Sequence, residues 1–133
     1  MKSKFLRVLS FFIFPAVIYF VNIFLIKLGL YNNYSWLDIP MHFLGGVSIA
    51  YMFVLFLDFF KEENFIEIKN KFLFVGIVVA LVGLVAIFWE FYEFCVWIYF
   101  DLSWAMTYED TLLDLFMGLL GGLVVGVWRK NVN

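Results

Sequence analysis

Polar positions interrupt this chain only at intervals. Apolar runs extend from about Val8 to Lys27, Asp38 to Phe60, Phe72 to Phe100 and Asp110 to Trp128, with short polar stretches between them. Each run is close to or longer than the roughly 20 residues that a helix needs to cross a bilayer. The pattern predicts an all-α integral membrane protein, a single transmembrane domain over residues 1–133 folded as a four-transmembrane-helix bundle. Lys2, Lys4 and Arg7 precede the first run as they would precede a signal peptide. The apolar stretch is too long for a signal core and no small-residue cleavage site follows, so the first run is expected to be a retained span.

Composition agrees with the pattern. Hydrophobic residues make up 65% of the chain and charged ones 15%, where soluble domains lie nearer half and a quarter. Mean hydropathy is +0.98. The net charge of −2 points to no nucleic-acid partner; the expected partner is the lipid bilayer. Cys95 is the single cysteine, so no intrachain disulfide can form.

Charge placement orients the spans. Lys2, Lys4, Arg7, Lys61, Lys69, Lys71, Arg129 and Lys130 fall on one side, and Lys27 alone on the other. The positive-inside tendency then puts both termini in the cytoplasm of a multi-pass cell membrane protein, with a prokaryotic plasma membrane expected. Trp36, Trp97, Trp104, Tyr31, Tyr34, Tyr99 and Tyr108 gather at the outer side, as an interfacial aromatic belt does.

Once the spans are oriented, the acidic residues collect at one depth. Asp38 opens the second span from outside and His42, the only histidine, lies one turn deeper. Asp110 and Asp114 repeat that arrangement on the fourth span. Glu90 and Glu93 follow Phe72 by about 27 and 31 Å of helical rise, near the far boundary of a hydrocarbon core about 30 Å thick. The i,i+4 and i,i+3 spacings put each pair on one helical face. Five carboxylates and one imidazole therefore converge where the chain offers no Arg and only Lys27. Such groups inside a membrane are costly and face partners in the bundle interior. The missing positive charge is expected from protonation, a ligand cation or a divalent metal ion, whose identity the ligand types leave open among Mg²⁺, Mn²⁺, Zn²⁺ and Fe²⁺. Asp38, His42, Glu90, Glu93, Asp110 and Asp114 are the candidate metal ligands, and Glu90, Glu93 and His42 the candidate catalytic groups.

Other readings compete. Asp is a favoured N-cap, so capping explains Asp38 and Asp110 as well as ligation does. Pro40 in the first turn is ordinary at a helix start. Gly46 and Ala50 continue the stripe of Asp38 and His42, and Gly118, Gly122 and Gly126 continue that of Asp110 and Asp114. Such stripes let membrane helices approach closely. Spans two and four are expected to pack through them, or to self-associate through Gly118, Gly122 and Gly126 if those are not used within the bundle. The end of span three, Phe94 to Phe100, is long for one crossing and is expected to tilt or lie in the interface. The stretch "DLSWAMTYED" at 101–110 would then cover the site.

"DIPMHFLGG", "WEFYEF" and "DTLLDLFMGLLGG", in that order on successive spans, resemble the YjdF-like family of small membrane proteins and, more distantly, the VanZ-like proteins. The resemblance covers about Asp38 to Gly126, and span one carries no motif. The matching residues are Asp38, His42, Glu90, Glu93, Asp110 and Asp114. The chain departs from the VanZ-like pattern at Ile39, Glu93 and Asp114, where that pattern has Lys, Gln and Asn, and it lacks an Arg shortly before the later acids. The resemblance therefore implies the same site without an antibiotic-resistance role, and it implies no particular reaction. Three functions fit these residues: a metal-dependent hydrolase or transferase acting on a lipid-linked phosphate at the outer leaflet, a cation or proton transporter, and a non-catalytic metal-binding or sensor protein of the envelope.

Overall fold

The computed structural model describes residues 2–100 and 107–129, the side chains at 2, 3, 97 and 100 excepted. All regular structure among them is helical: α1 Lys2–Ser10, α2 Ile13–Lys27, α3 Leu30–Asn33, a 3₁₀ turn Ser35–Leu37, α4 Asp38–Glu62, α5 Lys71–Phe100 and α6 Tyr108–Trp128. Four helical stretches are long and apolar enough to cross a membrane: Lys4–Lys27, Ser35–Glu62, Lys71–Val96 and Tyr108–Trp128. The protein is a multi-pass integral membrane protein built as a four-helix bundle.

Local chemistry explains where the helices start and stop. Pro15 has no N–H and its ring opposes the carbonyl four residues back, that of Phe11. The chain accordingly breaks at Phe11–Phe12, which bond back three residues to Val8 and Leu9. Span one is thus two helices, α1 and α2. Gly29 stands at φ 66° after α2, and its freedom in the left-handed region ends the helix. Asn64 does the same after α4 at φ 61°, with Phe65 N–H donating to Phe60 O and Asn64 N–H to Lys61 O in a Schellman turn. Asn70 caps α5 by accepting from Leu73 N–H at 3.1 Å. Helix α5 runs unbroken to Phe100.

Helices α4 and α6 form the closest pair. A Cβ on Gly46 would fall 2.8 Å from Gly118 Cα, and one on Gly121 2.8 Å from Val47 N. Only hydrogen fits there, so the two backbones touch. The four-residue stripe on α6 does not stay on α4, however. Four residues advance about 400° around a helix, so the stripe drifts about 40° per step. By Gly122 and Gly126 it faces Val82 and Val75 of α5. The glycines of α6 thus serve both neighbours within one chain.

A dry core of Ala50, Val54, Ile68, Phe74, Val78 and Val82 fills the bundle toward the end where the termini lie. That end is closed by ion pairs between elements: Lys4 to Glu63 at 2.6 Å, Arg129 to Asp58 at 2.8 Å, and Arg7 to Glu62. Lys71 Nζ also donates to Gly126 O at 3.0 Å. Helix α2 has no buried residue. It leans on α4, and reaches α5 through the edge-to-face pair Tyr19–Trp89, with centroids 6.1 Å apart. Large apolar side chains such as Phe20, Phe24, Phe88 and Phe116 point outward, where lipid rather than water is their solvent.

Candidate metal centre

The polar site lies at the other end of the bundle. Asp38 begins α4 directly after the 3₁₀ turn, and its backbone N–H donates to Ser35 O. The N-cap of α4 is Leu37, with no side-chain cap bond. At α6 the cap is Thr107, whose Oγ1 accepts from Asp110 N–H at 3.1 Å. Capping is therefore not what Asp38 and Asp110 do. A backbone turn relieves the first and a threonine the second, which leaves both carboxylates to the site.

His42 is its centre. Its Nε2 lies 3.4 Å from Asp38 Oδ1 and 3.7 Å from Asp114 Oδ1, and its Nδ1 lies 3.9 Å from Glu90 Oε1. Three helices thus meet on one imidazole. Two groups of three have ligand atoms all within 4.8 Å of one another: Asp38, His42 and Asp114, and His42, Glu90 and Glu93. Asp110 belongs to neither. It lines a polar chamber of about 320 Å³ above them, with Asp38, Glu93 and Asp114.

The separations and the burial fit a divalent ion. Ligand atoms about 2.1 Å from a tetrahedral ion stand about 3.4 Å apart, and His42 Nε2 has Asp38 Oδ1 at 3.4 Å and Asp114 Oδ1 at 3.7 Å. Glu90 is 8% exposed and Asp114 4%. Glu90 Oε2 and Asp114 Oδ1 are buried with no hydrogen-bond partner. A charged oxygen left so in a low-dielectric interior is expensive, and a bound cation removes that cost. His42 with its carboxylates can thus coordinate a divalent metal ion. Glu93 is held differently, because its Oε1 accepts from Trp89 Nε1 at 2.8 Å.

Several lining residues were not legible as site residues. Asn22, on the span that carries no motif, faces the chamber together with Tyr31, Asn32, Ser35 and Thr107. The available signal was Asn22 itself, an amide inside an apolar span, since such groups seek partners in the bundle. Tyr31 donates its hydroxyl to Asn22 Oδ1. Burial, then the charges of Asp38 and Glu93, push its phenol above the ordinary value, so it stays a neutral donor. It sits in the chamber wall, whereas Trp36, Tyr34, Tyr99 and Tyr108 are exposed. Trp104, most of the expected cover at 101–110, Lys130 and the side chains of Lys2 and Trp97 lie outside the described residues.

A family described as "Predicted membrane protein (DUF2238)" matches residues 3–132. The chain belongs to this family. The match spans all four helices and every residue of the site. No curated protein and no solved structure matches the chain. The family's description carries neither of the names that the motifs resemble.

Proposed function

We propose that this DUF2238 protein is a metal-dependent membrane enzyme, a hydrolase or transferase acting on a lipid-linked phosphate. The carrying observation is that two buried oxygens, Glu90 Oε2 and Asp114 Oδ1, have no hydrogen-bond partner, on carboxylates that flank the only histidine. Asp38, His42 and Asp114 would hold the ion. Glu90, at 3.9 Å from Nδ1, would orient the imidazole as carboxylates behind metal-bound histidines do. When bound, the ion supplies the positive charge that lets a phosphate approach this acidic wall. Glu93, bonded to Trp89 at the chamber wall, would take a proton from an attacking water or alcohol. Asn22, whose amide oxygen accepts from Tyr31, and Thr107 offer neutral donors to an oxygen-rich headgroup. The likeness to YjdF-like proteins supports the same residues.

The orientation of the basic residues supports a chamber open to the outside of the cell, with both termini in the cytoplasm. Transport is the weaker reading. Ser48 is 1% exposed and bonds Gly45 O at 2.8 Å, and the core beyond it is entirely apolar. No polar path continues from the chamber through the described residues.

Elemental analysis of purified protein tests the proposal. Wild type is expected to hold about one divalent ion per chain, and His42→Ala and Asp114→Asn far less. Phosphate release from a lipid phosphate, dependent on added divalent ion and lost in Glu93→Gln, is the expected activity. Metal content equal in all variants, or absent from wild type, refutes it.

A further inference from the structure

Below the chamber lies a second space. A groove of about 400 Å³ separates α2 from α4 and α5, with Ala16, Gly45, Ile49 and Val85 among its walls. Asp38 and His42 are its only ionisable walls besides Tyr19, and Asn22 and Asp38 line both groove and chamber. Along the first span the groove extends from Phe12, just before α2, to Asn22, about 15 Å of helical rise. That is half of a hydrocarbon core about 30 Å thick, the depth of one leaflet. Its floor is open where α4 carries Gly45: a Cβ there would meet nothing within 4 Å.

A space this large beside fluid hydrocarbon is filled, because bare walls forfeit their dispersion contacts. From this we infer that the groove seats one hydrocarbon chain of the phosphate-headed lipid, admitted sideways from the bilayer between α2 and α4. The chain runs one leaflet deep and ends at Asp38, where its headgroup turns into the chamber. The inference rests on the function proposed above for the head, and adds to it the place and class of the tail. Apolar walls match the chain. The acidic end, with its cation bound, matches the phosphate. Bulk lipid with no anionic head gains only the first of these. The loose seating of α2, without a buried residue, permits access from the side. Gly45 and Ala16 become the residues that set chain width.

Photo-crosslinking tests this on the full chain in nanodiscs. The probe is an oleoyl lysophosphatidate with a diazirine at mid-chain, with Mn²⁺ present. Crosslinks are expected at Ala16, Gly45, Ile49 and Val85, and at least tenfold fewer in Gly45→Trp with its metal content unchanged. Ala16→Phe, on the opposite wall, is expected to act alike, so a folding defect peculiar to one variant cannot imitate the result. Crosslinks spread evenly over outward residues such as Phe20 and Phe88, or groove crosslinks unmoved by both variants, overturn the inference. Groove crosslinks that both variants abolish in a protein without metal uphold the groove and overturn the metal reading instead.

Discussion

The two ends of this bundle treat charge in opposite ways. At the end carrying the termini, Asp58, Glu62 and Glu63 each meet an Arg or Lys, and these pairs are partly exposed. At the other end, Asp38, Glu90, Glu93 and Asp114 share one imidazole with Asp110 nearby, and among the described residues no Lys or Arg lines the chamber. The first arrangement ties helices together at small individual gain, since exposed pairs contribute about 0–1 kcal/mol each. The second works against folding unless something positive arrives. Among the described residues, Lys and Arg stand beside the acids at one end and not at the other, and that contrast makes the unpaired end the one able to take up a cation.

The largest effect is expected where the backbones that hold the unpaired end together touch. Gly46→Leu puts a side chain where Gly118 leaves no room, so α4 and α6 must separate and carry His42 away from Asp114. Overpacking costs about 1–3 kcal/mol, more when backbone must move. The variant is expected to lose its thermal transition and its metal together. Gly45→Ala, one residue away in open space, is expected to match wild type in both. Equal behaviour of the two variants would mean that the contact does not hold the site.

Next in size are the site carboxylates, where the contrast between ends can be inverted. In metal-stripped protein, Asp114→Asn removes one of several like charges from a dry cluster and is expected to stabilise the fold by about 1 kcal/mol, as changes at functional sites often do. With divalent ion in excess the order reverses, because the ion stabilises only the protein that binds it. Asp58→Asn, at the paired end, is expected to destabilise slightly in both conditions, by about 0.2–1 kcal/mol, and less at high salt. Thermal midpoints with EDTA and with Mn²⁺ check all three statements. A metal-independent effect of Asp114→Asn would make the two ends alike.

Much of this was readable from the sequence, because span length and acid depth depend on one dimension, the helical rise. His42 and its carboxylates converge because each sits a countable distance from a span end. What depends on rotation around the helix was harder to read. The four-residue glycine stripe on α6 was expected to stay on α4, and its drift onto α5 follows from 3.6 residues per turn. What depends on loops was harder still. Asp38 and Asp110 looked like caps because Asp caps well, yet a 3₁₀ turn and Thr107 perform those tasks. The short helix α3 and the turn after it, which bring Tyr31 and Ser35 over the chamber, follow no apolar period. Asn22 was a single polar residue with no spacing to argue from.

A single hydrogen bond sharpens the contrast further. Trp89 donates to Glu93 while its ring holds Tyr19 across the groove. Trp89→Phe keeps an aromatic ring and removes the donor. Losing a hydrogen bond to a charged group costs about 1.5–3 kcal/mol where the charge stays desolvated, but Glu93 lines the chamber and can recover solvent there. The metal held by Asp38, His42 and Asp114 should therefore weaken by less than about tenfold, below the 10–100-fold typical of groups that orient a ligand directly. The rate of phosphate release should fall further than the metal affinity, because Glu93 as a base depends on position. Isothermal titration with Mn²⁺ beside the rate separates the two. A loss of affinity equal to that of His42→Ala would place Glu93, with His42 and Glu90, at the ion, and would shift the metal centre to the other face of the imidazole.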